Sequence, residues 1–328
     1  MQFLPSSRSA ACLLLFTAAA CTVCAVHADE VFPSRTMTIV VPSAPGGAPD
    51  IGARLIAKEM TSTWKVPVVV DNRPGSSGIL ASSLVAHAPK DGYTMMLTFT
   101  AHVQLPSLNS HLPYDPLKDF VAVSQTSRSY SILAVPADFP ANTVQEFVAK
   151  VKASPTLMSY GSSGAGTTSH IYGDLFDKQA GTKMNHVPYK SAVLLIQDMM
   201  GGHVKVGFTD VGATIPYIRS GKIKALAVIG PNRIPALPNV PTFQESGYKG
   251  FEQVAWMGFV VPSGVPKERV DKLSAELARI TRSEPVSRQL NDVNLEVVGS
   301  TADEFNAVMI KDFTVWKDII GRSGIKLD

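Results

Sequence analysis

Short apolar, β-branched runs alternate with stretches of helical periodicity along almost the whole of this chain, and that alternation restricts it to an α/β fold. The candidate strands are 38–41, 66–70, 94–99, 132–135, 158–160, 205–209 and 225–229. Helical patterns start near Asp50, Ser77, Thr143, Ser169, Val193, Thr214, Lys267 and Thr301. This spacing predicts βαβ units and mainly parallel sheets flanked by helices. Thr143 followed by Glu146 reads as a capping box, and Pro285 splits the C-terminal helical region into at least two helices. Proline-rich stretches at 106–119, 229–241 and 260–266 read as surface loops or crossings between lobes.

The first residues read as a secretory leader. Arg8 precedes an apolar run at 10–20, and Val26-His27-Ala28 has the small-x-small form of a cleavage site, so residues 1–28 are expected to be removed. The 3 cysteines, Cys12, Cys21 and Cys24, all fall in this segment, which excludes structural disulfides, thiolate metal sites and a cysteine nucleophile from the mature chain. Lipid attachment at Cys21 is the minor alternative, and export to the periplasm is expected either way. The mature chain keeps nearly balanced charge, because cleavage takes one of the 30 basic residues and none of the 27 acidic ones. With no basic run interleaved with aromatics, nucleic acid is not expected as a partner. Roughly 300 residues are more than one core normally serves. The expected division is a discontinuous lobe of 29–129 plus 251–328, with 130–250 inserted.

Two strand–loop–helix junctions carry the candidate chemistry. After the first strand comes Ser43-Ala44-Pro45-Gly46-Gly47-Ala48-Pro49-Asp50, with Asp50 expected to cap the following helix. The second junction, 160–170, reads Y-G-S-S-G-A-G-T-T-S-H and offers Ser162, Ser163, Gly164, Gly166, Thr167, Thr168 and His170. Such loops present backbone N–H groups and the positive end of a helix to an anion. No lysine follows the glycines and there is no G-x-G-x-x-G, so a nucleotide phosphate is not supported. Ligands of open α/β folds bind at strand carboxyl ends, where both loops fall. A third loop, Asn72 to Gly78, follows a strand in the same way, with Arg73 read as the partner of a nearby carboxylate. Thr209 and Asp210 end a later strand. Asp210 there either caps the next helix or reads an amine or hydroxyl on a ligand.

Enzyme chemistry is the competing class. Gly161-Ser162-Ser163-Gly164-Ala165 is one residue from a G-x-S-x-G nucleophile elbow, which would make Ser163 a nucleophile with a histidine downstream. The fifth position is Ala, so no catalytic residue is assigned. The histidines at 87, 102, 111, 170, 186 and 203 have no metal-ligand spacing, and no metal or cofactor is expected.

Taken in order, V-V-P-S-A-P-G-G (40–47), V-V-V-D-N-R-P-G (68–75), A-P-K-D-G-Y-T (88–94), L-P-Y-D-P-L-K-D-F (112–120), the 160–170 loop, H-V-P-Y-K (186–190), M-G-G-H-V (200–204), I-R-S-G-K-I-K-A-L-A-V (218–228), L-P-N-V-P-T (237–242) and V-G-S-T (298–301) make the chain resemble one family. It is similar to the periplasmic solute receptors of tripartite tricarboxylate transporters, the Bug-type proteins. The resemblance implies a two-lobed, type II periplasmic-binding-protein fold that closes over a small carboxylate: a di- or tricarboxylate, an amino acid or an aromatic acid. It also implies a monomer that serves an inner-membrane permease, or in a variant role presents its ligand to a sensor kinase. In that family the carboxylate is held by backbone N–H groups and waters of the first two loops. Ser43 stands where Phe is common, Pro49 where Thr or Ser is usual, and Thr209-Asp210 where Asp-Asn pairs are frequent. Ser191 and Leu194 replace a common Gly and Pro. The distal end of the pocket is therefore expected to be individual to this chain.

Overall fold

The structure, a computed structural model, describes residues 31–46 and 48–326. The leader with its cysteines and cleavage site lies outside the described residues, as does Gly47. In chain order the first elements are β1 (Met37–Val41), α1 (Ala48–Trp64), β2 (Val68–Asn72), a single turn of 3-10 helix at Ser76–Gly78, α2 (Ile79–Ala86), β3 (Thr94–Phe99), α3 (Ala101–Leu108) and β4 (Phe120–Ser129). Next come β5 (Ser131–Pro136), α4 (Val144–Lys152), β6 (Ser159–Ser162), α5 (Thr168–Ala180), β7 (Asn185–Pro188), α6 (Ala192–Met200), β8 (Val206–Asp210), α7 (Val211–Arg219) and β9 (Ile223–Ile229). The chain closes with β10 (Ala255–Pro262), α8 (Lys267–Arg282), α9 (Glu284–Asp292), β11 (Glu296–Val297) and α10 (Ala302–Ser323).

Six strands form one sheet in the order β11-β4-β10-β3-β1-β2, and five form another in the order β7-β6-β8-β5-β9. The α/β class expected from the alternation is the one found, but both sheets are mixed. Strands β2, β1 and β3 are parallel, while β10 lies antiparallel between β3 and β4. In the second sheet β7, β6 and β8 are parallel, and β5 runs antiparallel to β8 and β9. The reversal follows from the crossings. Strand β4 is joined to β5 by Tyr130 alone, so β5 must run away from the edge that β4 has just reached. The strands that return from the other sheet therefore oppose their neighbours. The carboxyl ends of β1 to β4 and those of β6 to β9 come to lie on either side of this crossing.

Local signals set the helix ends. The Thr301 hydroxyl accepts from the Glu304 N–H while the Glu304 carboxylate accepts from the Thr301 N–H, a complete capping box. At α4 the Thr143 hydroxyl accepts from Glu146 as expected, but the Glu146 carboxylate reaches one residue further out, to the Asn142 N–H. Pro285 sits in the first turn of α9, where its missing N–H deprives the helix of nothing.

One continuous apolar core runs under both sheets, from Val40 and Met96 to Leu133 and Phe208. Helix α10 ties it together. Trp316 is fully buried with its ring 5.3 Å from Tyr172 of α5, and Phe305 meets Trp256 of β10 edge to face at 5.0 Å. The Trp256 indole N–H donates to buried Asp312 of α10 at 2.8 Å.

Two expectations fail for one reason. The 106–119 stretch is not wholly loop, since Pro106 lies inside α3. That helix is only 8 residues long, so the missing N–H removes a single bond, and its buried face holds it in place. Strand β4 was not anticipated at all, because 120–129 reads F-V-A-V-S-Q-T-S-R-S rather than as an apolar run. Its polar residues are buried because partners await them. The Ser124 hydroxyl donates to the Ser300 carbonyl at 2.7 Å, and the Thr126 hydroxyl to the Met257 carbonyl at 3.2 Å. Tertiary partners, invisible to periodicity, make the strand affordable. Strands β10 and β11 were likewise not anticipated.

Candidate functional site

The first loop leaves β1 and enters α1, which starts at Ala48 rather than at the expected cap, Asp50. Asp50 is instead in the first helical turn, almost fully buried, and its carboxylate folds back onto the loop. It accepts from the Gly46 N–H at 2.8 Å, from Arg54 Nε at 3.0 Å and from Asn72 Nδ2 at 2.9 Å. Asn72, the last residue of β2, also donates to the Ser43 carbonyl at 3.1 Å. Burial alone would raise the Asp50 carboxyl, but these donors outweigh it and hold it below the usual carboxylate range. Gly46 turns through φ 83°, a conformation that favours glycine. The consequence for ligand chemistry is direct: the Gly46 N–H and the Asp50 carboxylate fasten the loop to itself. Among the described residues, the N–H groups of Ser43 and Ala44 carry no bond within this loop, and neither does that of Asp50 in the first turn of α1. The Ser43 hydroxyl is buried without a partner there. Pro45 and Pro49 have no N–H to offer and stiffen the turn. Arg73 pairs with Asp71 at 2.9 Å, the structural role read from sequence.

The second loop is more tightly knit than its composition suggests. The Ser163 N–H donates to the Ser169 hydroxyl at 3.1 Å, the Gly164 N–H to the Ser162 hydroxyl at 3.2 Å, and the Gly166 N–H to His170 Nδ1 at 3.0 Å. Thr167 occupies the cap position of α5, and its hydroxyl donates to the Gly164 carbonyl at 2.7 Å. Gly164 has φ 134° and Gly166 φ 71°, so both use glycine's freedom to fold the loop onto itself. Three N–H groups that the sequence offers to a ligand are thus engaged internally. Those of Ala165 and of Thr168 and Ser169, in the first turn of α5, carry no bond among the described residues. A helix start with unbonded N–H groups is where an anion is favoured.

Behind this loop two imidazoles stack. His170 and His186 lie with ring centroids 3.6 Å apart and planes 11° from parallel. His170 accepts from the loop, His186 Nε2 bonds the Ser162 hydroxyl at 2.7 Å, and Tyr160 beneath them bonds Asp174. Burial pushes both imidazoles down to about 4, and for His186 the neighbouring His170 adds to the effect. Both are therefore neutral at pH 7, as the acceptor role of His170 Nδ1 requires. In this loop the serine that meets a histidine is Ser162, not Ser163. Ser162 is fully buried and bridges its own loop, donating to or accepting from Gly164.

Thr209 and Asp210 end β8 beside this loop. Thr209 is fully buried, with its hydroxyl 3.3 Å from that of Thr214 of α7. Asp210 takes the N-cap position of α7 without a side-chain bond to that helix. Its carboxyl is raised by burial, against which its own backbone N–H pulls. Gln104 of α3, which the sequence reading missed, comes from the other sheet. It is fully buried, and its Nε2 donates to the Thr168 hydroxyl at 3.0 Å, joining α3 to the start of α5. Its position just after the carboxyl end of β3 was the one available signal.

Residues 52–325 match the family described as the tripartite tricarboxylate transporter family receptor. The chain belongs to this family. A relative from Pseudomonas sp. (strain P51), described as a UPF0065 protein in the tcbD-tcbE intergenic region, is 33% identical over 292 residues, covering 89% of this chain and 87% of the relative. Two solved structures of Rhodopseudomonas palustris proteins align closely. Rpa4515 with adipate is 30% identical with TM-score 0.80, covering 90% of this chain and 99% of its own. MatC with bound malate is 30% identical with TM-score 0.78, covering 88% and 100%. The family's two-lobed receptor fold agrees with the two mixed sheets joined at Tyr130. No helix of the described residues is long and apolar enough to cross a membrane.

Proposed function

We propose that this chain is a periplasmic receptor that captures a small carboxylate and delivers it to an inner-membrane permease of the tripartite tricarboxylate type, working as a monomer. Its two lobes, 29–129 with 251–328 and 130–250, hinge about the Tyr130 crossing and close over the ligand. The observation that carries the reading is the set of unbonded N–H groups at the carboxyl ends of β1 and β6: Ser43 and Ala44 on one side, Ala165, Thr168 and Ser169 on the other. Donors already fixed by their loops replace a carboxylate's hydration shell without having to reorganise. The adipate- and malate-bound relatives support that class of ligand. A hydrolase at the G-S-S-G-A loop is disfavoured because the serine there that meets a histidine, Ser162, is buried and engaged in holding the loop.

Native mass spectrometry of the purified protein, followed by thermal-shift and calorimetric screening of mono-, di- and tricarboxylates, tests the proposal. At least one acid is expected to raise the melting temperature and give binding heat. A broad panel with neither effect refutes it.

A further inference from the structure

At the edge of the six-stranded sheet a short segment reaches across to the elements of the five-stranded one, beside the Tyr130 crossing. Helix α9 ends at Val293, Asn294 turns through φ 55°, and Glu296 and Val297 of β11 then pair with Arg128 and Ser127 near the end of β4. The Val293 carbonyl oxygen lies where a Cβ on Gly212 would stand, in the first turn of α7, so a side chain at that position would have to displace it. Three residues on, the Glu296 carboxylate accepts from the Tyr130 hydroxyl at 2.8 Å and pairs with Arg128 at 3.4 Å. Both contacts land on one tied unit, because the Val211 N–H at the start of α7 donates to the Tyr130 carbonyl at 2.9 Å. The Tyr130 ring also covers Gly230, just past β9, where the chain starts back towards β10: a Cβ there would come within 2.9 Å of the ring. Tyr130 therefore touches the return crossing with its ring and β11 with its hydroxyl. The bonds of Glu296 are exposed, and contacts of this kind contribute little each, which suits an attachment that breaks and reforms.

We propose that residues 293–296 brace the closed receptor, with Gly212 and Glu296 as positioning residues that set how long the ligand is held. This rests on the receptor reading and adds a control on its closure. Helix α7 starts at the carboxyl end of β8, the same end of its sheet as the second loop. Opening the cleft therefore draws Val293 away from Gly212 and turns the Tyr130 hydroxyl off Glu296, and closing remakes both contacts. A contact made only in the closed state shifts the population towards it and slows ligand release without touching the ligand. Glycine is needed at 212 because a backbone carbonyl seats directly on it, so that any Cβ there holds the lobes apart.

Residues 29–328 contain no cysteine, so two introduced ones report the lobe arrangement without interference. Spin labels at Lys58→Cys in α1 and Lys222→Cys after α7, both exposed positions, give the distance between lobes in the absence of any ligand. Gly212→Val is expected to move that distance away from the separation the two sites have here, and Glu296→Ala to move it less. Glu296→Gln, whose amide oxygen still accepts from Tyr130, should restore it. With malate as the probe, stopped-flow dissociation should be at least tenfold faster in Gly212→Val, with association within twofold of the unaltered protein. Circular dichroism and urea midpoints establish that each variant is folded. If Gly212→Val fails to fold, Gly212→Ala takes its place, since alanine is a better helix former than glycine and adds only the Cβ. Distances unchanged in a folded Gly212 variant, or a Glu296→Gln that opens as far as Glu296→Ala, overturn the inference while leaving the receptor reading intact. Absence of binding by the whole carboxylate panel overturns the receptor reading, whereas the label distances decide the brace on their own.

Discussion

Acidification should loosen this protein through its buried imidazoles, with a size that follows from their surroundings. His170 and His186 are held at about 4 by burial, against 6.5 in an unfolded chain. His102 is also held at about 4, in a separate pocket between Tyr114 and Phe120, with its Nε2 3.2 Å from the Pro116 carbonyl. Because the fold favours the neutral form, the unfolded chain binds more protons between those two values. Stability is therefore complete above pH 6.5 and is lost as the pH falls towards 4. Each imidazole contributes about 3 kcal/mol over the whole window, and near pH 5 the three together give a slope of about 3–4 kcal/mol per pH unit. Raised carboxyls at Asp210 and Asp312 act in the opposite sense, since the folded chain holds their protons more strongly, and trim the slope at its acid end. Function is coupled to the same event. Protonated His170 can no longer accept at Nδ1, so the Gly166 N–H loses its partner at 3.0 Å and the second loop is expected to loosen. Urea unfolding at pH 7, 6 and 5, with NMR titration of the imidazole protons and ligand calorimetry at each pH, measures all three quantities. His186→Phe, which preserves a ring in the stack, should remove about a third of the slope. Equal stability at pH 7 and pH 5, or imidazoles that titrate near 6.5, would refute the reasoning.

Two further substitutions separate loop architecture from global stability. Asp50→Ala removes the acceptor for Gly46, Arg54 and Asn72, and should cost about 2–4 kcal/mol in urea unfolding, with a large loss of ligand affinity; affinity unchanged within twofold would show that the first loop does not depend on this fastening. Gly164→Val forces a branched side chain into φ 134° beside Thr167 Cγ2, 3.4 Å from the new Cβ. It should abolish binding while the circular dichroism spectrum stays native, and retained affinity would remove the second loop from the site.

How far the sequence could be read depended on whether a signal was local. The βα junctions were legible because glycine, proline and hydroxyl residues mark a turn wherever they cluster, and the motif order was specific enough to identify the family. The capping of α10 by Thr301 and Glu304 and the break at Pro285 were legible for the same reason. Strand β4 was not, because nothing local says that Ser124 will find Ser300 across 176 residues. Gln104 was obscured by Pro106, two residues on, which reads as a loop until the buried face of α3 is seen to hold it.

By itself, the sequence determined the α/β class, the family and the two glycine-rich βα loops proposed to hold the ligand, since each of these rests on residue type and short-range spacing. Only the tertiary structure decided which groups in those loops remain available. It turned the Asp50 carboxylate and the Gly46, Gly164 and Gly166 N–H groups inward, stacked His170 on His186, and brought Gln104 from the other sheet to Thr168. The physical reason is that a buried polar group must be satisfied, and the partner that satisfies it is chosen by proximity in space, over distances along the chain that no sequence pattern records.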